Sequence, residues 1–360
     1  MVTVVSERKL MQKTPFVSVL MPVRNEASFI ERSVGAVLTQ DYPRNRMEVI
    51  IADGLSDDGT RKVIEALRLQ NPNVRLIDNP GMIVSTGLNA ALRVANGEII
   101  IRVDGHCEIA VDYVSRCVWH LTEADIDAVG GPLETIGQTY IAEAIAAAMS
   151  SSFGVGGSAF RVGTKEARFV DTVAFPGYRR DMIQRAGPYD EELVRNQDDE
   201  YNYRVRKLGG HILLSPDIHS RYYSRASFLK LWKQYLQYGY WKVRVMQKHP
   251  RQMQPRQFVP ALFVIALVGL LITAPFLLVN KLVLAAMLLA YVVLSLAASV
   301  SAARKTQWRL LPLLPIAFTI IHLAYGSGFL LGMARFWNRW RDHGTRASQS
   351  NLLRDVAPLQ

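Results

Sequence analysis

Two apolar runs in this chain each end in a carboxylate. Val49-Ile50-Ile51-Ala52 leads into Asp53-Gly54-Leu55-Ser56-Asp57-Asp58-Gly59, and Glu98-Ile99-Ile100-Ile101-Arg102-Val103 leads into Asp104-Gly105-His106. In open α/β sheets, ligands bind in the crevice outside the carboxyl ends of the strands. There, Asp53 can accept a hydrogen bond from the imide N–H of a uracil-type base. Asp104 suits a hard divalent cation bridging two phosphates, since such a cation takes oxygen ligands. The cation would neutralise the charge of a departing nucleoside diphosphate. His106 projects from the same side of an extended strand, as a second ligand or through a water. One acidic strand end reads most simply as a turn former or a helix cap. Two in ordered succession point to a nucleotide and metal site.

A third acidic group lies far downstream. Asn196-Gln197-Asp198-Asp199-Glu200 opens a predicted helix carrying Tyr203, Arg204 and Arg206 and closing at Gly209-Gly210. Acidic residues at such a position complement the helix macrodipole. They can also supply the base that takes a proton from an acceptor hydroxyl. Asp198 is the candidate base, with Asp199 and Glu200 orienting loops or contacting arginines. His219, after a predicted strand Ile212-Leu213-Leu214, reads either as a diphosphate or metal contact or as a surface histidine.

These groups need a scaffold. Residues 16–23 read as a first buried strand, followed by Arg24-Asn25-Glu26 and a helix over 27–39 with Ile30, Val34, Val37 and Leu38 at helical spacing. The strand ending at Ala52 comes next, then a helix over 60–69, a strand over 74–77, a helix over 85–95 and the strand 98–103. Such alternation predicts a mostly parallel sheet with helices on both faces, an α/β nucleotide-binding fold.

The chain has 360 residues, 49% hydrophobic, with a net charge of +11. The basic residues are spread out and accompany no nucleic-acid motif, so no nucleic-acid partner is expected. Many lie beside apolar runs, as attraction to an anionic leaflet would place them. Residues 258–279, 282–303 and 310–334 are each long enough to cross a bilayer, which takes about 20 residues. The third contains Pro312, Pro315, His322, Gly326 and Gly328. Residues 228–241, with Trp232, Tyr235 and Trp241 among lysines, read as an amphipathic helix that packs on the catalytic domain, lies at headgroup depth, or both. The loop charges put the segment before the first span in the cytoplasm. A third full crossing would place Arg335, Arg339, Arg341 and Arg346 outside, against that rule; a re-entrant or broken hairpin would not. Met1 to Pro15 has no apolar core of the secretory kind. Cys107 and Cys117 make no disulfide framework or metal cluster, which suits a reducing compartment.

The order Pro22-Val23-Arg24-Asn25-Glu26, Asp53 to Gly59, Gly87-Leu88-Asn89-Ala90-Ala91, Val103-Asp104 and Gln197-Asp198 resembles the family 2 inverting glycosyltransferases over roughly residues 15–245. The stretches Asp171 to Gly177, Arg195 to Glu200 and Arg102 to His106 resemble the succinoglycan-type exopolysaccharide glucosyltransferases, which also carry C-terminal membrane spans. The resemblance implies a GT-A type domain over 16–225 after a tail (1–15), then interfacial helices and linker (226–257), a transmembrane region (258–335) and a basic tail (336–360). It implies that Pro22, Arg24, Glu26 and Asp53 hold base and ribose, with Asp57, Asn89 and Arg102 as further nucleotide contacts. Asp104 and His106 would hold Mg2+ or Mn2+ at the diphosphate, and Asp198 would be the general base of an inverting transfer. Gly177, Tyr178, Arg179, Gln197, Asp199, His219, Gln237 and Trp241 are candidate donor or acceptor contacts.

The implied donor is UDP-glucose and the implied acceptor a polyprenyl-linked saccharide. The implied location is the cytoplasmic (inner) membrane, multi-pass, with the catalytic domain in the cytoplasm and in contact with membrane lipids. Two departures stand out. His106 occupies a position where the family usually has an acid, and Tyr240 stands where processive members have the arginine of Gln-x-x-Arg-Trp. Single-sugar addition is therefore expected, with a processive synthase and an inactive nucleotide-binding membrane protein as the competing readings.

Overall fold

Val17–Val23 (β1) is buried along its whole length, as a parallel strand covered on both faces must be. In the computed structural model, which describes residues 14–347, it lies inside a sheet. The expected tails therefore fall partly outside the described residues, at 1–13 and 348–360. The other strands of this sheet are Met47–Asp53 (β2), Val74–Asp78 (β3), Ile99–Arg102 (β4), Ala128–Gly130 (β5), Arg168–Phe169 (β6), Gly177–Arg179 (β7) and Ile212–Leu214 (β8). Their order is β3-β2-β1-β4-β7-β5-β8-β6. The first four strands are parallel, and chain order reverses between β1 and β4. That reversal is where an open α/β sheet leaves a crevice for ligand.

Helices fill the connections at Ile30–Leu38 (α1), Thr60–Gln70 (α2), Val84–Val94 (α3) and Tyr113–Glu123 (α4). Two more, Arg180–Ala186 (α5) and Gln197–Lys207 (α6), follow in the second half of the sheet. The alternation read from the sequence is thus present, with most boundaries moved by one to three residues. The sequence reading missed β7, which enters antiparallel between β4 and β5. Gly177-Tyr178-Arg179 offers no apolar run of the kind with which Ile212-Leu213-Leu214 announces a strand. Cys107 and Cys117 are free, buried thiols.

The chain divides into two compact units. The first holds this sheet and comprises the chain up to Pro132, Thr164–Ser220 and the chain from Thr345. The second comprises Leu133–Gly163 and Arg221–Gly344. It contains Phe228–Lys248 (α7), Val259–Thr273 (α8), Leu278–Lys305 (α9) and Leu314–Arg335 (α10). Among the described residues, three helices are long and apolar enough to cross a membrane: Pro255–Thr273, α9 and α10. The third apolar segment is one continuous helix, not a broken hairpin. Pro315 falls in its first turn, where no intrahelical N–H is needed, so it starts the helix without kinking it.

Glycines set the packing of α10. A Cβ on Gly328 would stand 2.0 Å from the Leu236 carbonyl oxygen of α7, and one on Gly332 would stand 2.5 Å from that of Tyr240. From the other side, a Cβ on Gly239 of α7 would stand 2.0 Å from the Tyr325 carbonyl oxygen. Two helix backbones in van der Waals contact leave no room for any side chain, the familiar use of small residues between apolar helices. Tyr240, Trp241 and Phe336 close the far end of the contact with their rings.

Gly328→Leu should therefore force α7 and α10 apart and cost about 1–3 kcal/mol. Gly269→Leu should be nearly neutral, because a Cβ there meets nothing within 4 Å. Thermal unfolding of the detergent-solubilised protein separates the two; equal melting temperatures would contradict this packing.

Candidate active site

Among the described residues, five non-glycine residues hold positive φ: Asn25, Leu55, Met82, Phe175 and Asn196. Four of them lie in the turns that follow β1, β2 and β3 or precede β7, and the fifth caps α6. Strained backbone of this kind persists only where its surroundings fix it, and it gathers at functional sites. Here the fixing bonds are visible. The Asn25 N–H donates to Ser56 Oγ at 2.9 Å, and Asn25 Oδ1 accepts from the Asp57 N–H at 3.1 Å. Asp58 accepts from the Thr60 hydroxyl and from the Ala27 and Thr60 N–H groups, and these bonds hold its carboxyl below the usual aspartate value against the effect of burial. The turns after β1 and β2 are thereby laced together.

Asp53 ends β2 and is fully buried. It accepts from the Ser56 N–H and hydroxyl and from Arg61 Nη1 at 3.2 Å. A carboxylate offers roughly four acceptor positions, so capacity remains for one more donor. Pro22 is buried beside it, paired with Ala52 across β1 and β2. Arg24 is exposed and lies over Gly54, where a Cβ would meet it at 3.1 Å.

The centre of the site is Arg102, the last residue of β4 and only 5% exposed. Its Nε donates to Asp104 Oδ1 at 3.0 Å and its Nη2 to Asp104 Oδ2 at 3.2 Å. Its Nη1 lies 4.0 Å from Asp198 Oδ2. One guanidinium thus gathers two carboxylates that lie far apart in the chain, and the carboxylates keep it charged despite burial. Burial lifts the Asp198 carboxyl above the ordinary aspartate value. Arg102 pulls it down, and the charges of Asp199 and Asp104 push it up again.

Asp198 sits in the first turn of α6, whose position is fixed from both ends. Glu200, buried, takes a forked ion pair from Arg204, and Arg204 Nη1 donates to the Ala186 and Pro188 carbonyls. Tyr189 stacks on Tyr201 with ring centroids 4.1 Å apart. Burial pushes the Tyr189 phenol up to about 12, so it stays neutral beside Arg102 and Asp198. Asn89 is buried, and its amide bonds the Tyr189 N–H, the Tyr189 carbonyl and Glu191. Asn89 therefore supports the 189–191 loop, a role its place in the motif did not suggest.

The remaining expected residues divide. Gln197 is buried beside Asp198, and its Oε1 has no hydrogen-bond partner among the described residues. Gly177 pairs with Ile101 in the sheet. Tyr178 is core: fully buried, it donates to Asn202 Oδ1 at 2.7 Å. Arg179 pairs with Ile99, at the end of β4 remote from Asp104, and turns to Asp181. The antiparallel direction of β7 carries the Arg179 side chain away from the strand ends that hold the aspartates, whereas the Tyr178 ring lies beside Tyr189, Arg102 and Asp198. His219 is exposed, and its carbonyl accepts from the Ala110 N–H. Gln237 and Trp241 belong to α7 of the second unit, where Trp241 packs against Phe336.

Among the described residues, no three His, Cys, Asp or Glu side chains converge as a ready-made metal cage. Mg2+-type sites do not require one, since one or two protein ligands plus phosphates and waters suffice. Asp104 offers a partly exposed carboxylate. Glu26 Oε1 lies 2.8 Å from His106 Nδ1, as a carboxylate does when it fixes the ring of a ligating histidine. Glu26, expected at the nucleotide, is thus tied to His106. Asp104, whose two oxygens also bond Arg102, and His106 are the residues that would hold a divalent cation here. Glu200 contacts an arginine, Arg204, as its place beside Asp198 suggested, whereas sequence reasoning missed Tyr189, whose role does not show before the loops are folded together.

The family model described as Glycosyl transferase family 2 matches residues 18–185. The chain is 33% identical over 233 residues to the succinoglycan biosynthesis protein ExoA of Rhizobium meliloti, covering 64% of this chain and 70% of that protein. It is 30% identical over 241 residues to a dolichyl N-acetyl-alpha-D-glucosaminyl phosphate 3-beta-D-2,3-diacetamido-2,3-dideoxy-beta-D-glucuronosyltransferase of Methanococcus voltae, covering 65% and 74%. Among solved structures, the mannosyltransferase PcManGT of Pyrobaculum calidifontis, in complex with GDP-Man and Mn2+, matches with a TM-score of 0.54. That match covers 90% of this chain and 93% of the other at 18% identity, and it is a likeness of fold, the GT-A type.

Arg102→Met should leave Asp104 and Asp198 with no shared counter-charge and cost about 3 kcal/mol of stability, the lower end for breaking a buried pair. Chemical denaturation of wild type and variant measures it. An unchanged midpoint would show that Arg102 does not hold the carboxylates.

Proposed function

Because the chain belongs to glycosyl transferase family 2, we propose that it adds one sugar, glucose from UDP-glucose, to a polyprenyl-linked saccharide at a membrane, with inversion at the anomeric carbon. The observation that carries this reading is the shared guanidinium of Arg102, which gathers Asp104 and Asp198, two carboxylates far apart in the chain, into one place. The relatives support the chemistry: one is named for succinoglycan biosynthesis and one for transfer to a dolichyl-linked sugar phosphate.

In this reading Asp53, Pro22 and Arg24 receive the uracil and ribose, with Asp57 beside them. A divalent cation, Mg2+ or Mn2+, held by Asp104 and His106 would supply charge neutralisation at the diphosphate. Asp198 accepts the proton of the acceptor hydroxyl as that oxygen attacks the anomeric carbon, and the bond to the diphosphate breaks on the opposite face. The acceptor oxygen's electron pair forms the new bond, the leaving diphosphate keeps the old one, and the proton ends on the Asp198 carboxylate. Its raised pKa brings the base nearer the pH at which it works. Gln197 Oε1 offers a vacant acceptor for a sugar hydroxyl. Tyr240 packs on Phe336 and supplies no positive charge for a leaving group, in keeping with single addition.

Transfer from a panel of labelled nucleotide sugars to a lipid extract, read by mass spectrometry of the product, tests the reading; no product from any donor would overturn it. Asp198→Asn should retain donor binding and lose at least about 100-fold in transfer. Asp104→Ala should lose metal-dependent donor binding. Activity should fall as pH drops through the Asp198 pKa, above the ordinary 3.8. Asp199→Asn removes a like charge that raises that value, so its acid limb should move to lower pH; a limb that stays in place would assign the base elsewhere.

A further inference from the structure

We infer that α8 and α9 form the sole membrane-crossing hairpin among the described residues, and that α10, although long and apolar enough to span, begins and ends on the catalytic side. The inference is a matter of parity. Each end of the three apolar helices is tied to a segment whose side of the membrane is fixed by the chain itself.

The entrance to α8 is tied first. Arg256 Nη1 donates to the Gly157 carbonyl at 3.0 Å. Gly157 belongs to the excursion Leu133–Gly163, which leaves the catalytic unit and returns to it. Its apolar helix, Tyr140–Met149, has 10 residues, about 15 Å of rise, half of what a bilayer needs. That excursion therefore stays on the catalytic side. The link between α9 and α10 is tied to the same excursion. Arg309 Nη2 lies 2.6 Å from Glu143 Oε2, and the Tyr140 hydroxyl donates to the Arg309 carbonyl. Between Arg256 and Arg309 the chain must cross an even number of times, and α8 and α9 supply two.

The chain that leaves α10 re-enters the catalytic unit at Thr345. The Arg346 N–H donates to Asp190 Oδ1 at 3.2 Å, and its carbonyl accepts from the Glu191 N–H at 2.6 Å. Both partners precede α6 in the unit that carries the sheet. A helix whose two ends lie on one side does not cross.

The packing agrees. α8 and α9 are each only 11% buried over their apolar windows, but α10 is 44% buried. α10 runs parallel to α7, with Leu236 facing Gly328 and Tyr240 facing Gly332. α7 carries Lys230, Lys233, Lys242, Arg244 and Lys248. α10 also meets the entrance of α8, where a Cβ on Gly326 would stand 2.3 Å from the Pro260 carbonyl oxygen, and a helix with five cations such as α7 does not lie in hydrocarbon. The partner of the exposed α8–α9 faces, bearing Leu262, Ile265, Leu289 and Val293, is the bilayer interior. This assignment also returns Arg335, Arg339 and Arg341 to the side on which basic residues accumulate.

Single-cysteine accessibility tests it in intact cells and inverted membrane vesicles, using a membrane-impermeant maleimide. The native thiols are buried, so background labelling is low. Gln70→Cys on α2 reports the catalytic side. Gln307→Cys and Arg341→Cys should label from the same side as Gln70→Cys, and Lys281→Cys from the opposite side. All four should label after detergent permeabilisation, which shows that each site is reachable in the folded protein. Arg341→Cys labelling together with Lys281→Cys would mean three crossings and overturn the inference. Lys281→Cys labelling together with Gln70→Cys would remove the hairpin and overturn it equally.

Discussion

A single buried guanidinium organises the catalytic half of this protein. Arg102 ends a central strand, where the sheet holds its backbone rigid, and its fork grips Asp104 while its remaining nitrogen faces Asp198. A buried cation must be compensated, and carboxylates crowded near one another need a cation between them. Each requirement answers the other. The loops that deliver Asp198 are then braced independently: Asn89 holds the 189–191 loop, Arg204 holds Glu200 and two carbonyls, and Tyr189 stacks on Tyr201. Asp198 is therefore positioned by a network that spans α3, β4 and α6.

Much of this was legible in the sequence. The strands ending at Asp53 and Arg102 announce themselves by apolar runs that stop at acidic turns, and parallel strands buried on both faces read as such runs. Residues whose role depends on a fold-level partner were not legible. Arg179 looks like a site residue because it adjoins Phe175-Pro176-Gly177, yet the antiparallel insertion of β7 sends it to the far end of β4. Asn89 sits in a nucleotide-like motif but spends its amide on a loop a hundred residues away. Periodicity reports which face of an element is buried and says nothing about which loop that face will meet.

The second unit shows the same limit. Three apolar runs of similar length were visible, and composition could not rank them. What separates them is contact: α10 is covered by α7 on a seam of glycines, whereas α8 and α9 present leucine, isoleucine and valine outward. The charge conflict noted at the C-terminus was the sequence's own sign that the three runs differ.

That glycine seam has a mechanical meaning. With Gly239, Gly328 and Gly332 removing the side chains that would act as spacers, carbonyl oxygens of each helix bear directly on the backbone of the other. Flexible side chains can repack as neighbours slide, but two backbones in contact cannot shift by a fraction of a turn without colliding. α7 and α10 therefore act as one stiff beam, and motion within this unit has to come from the loops around it.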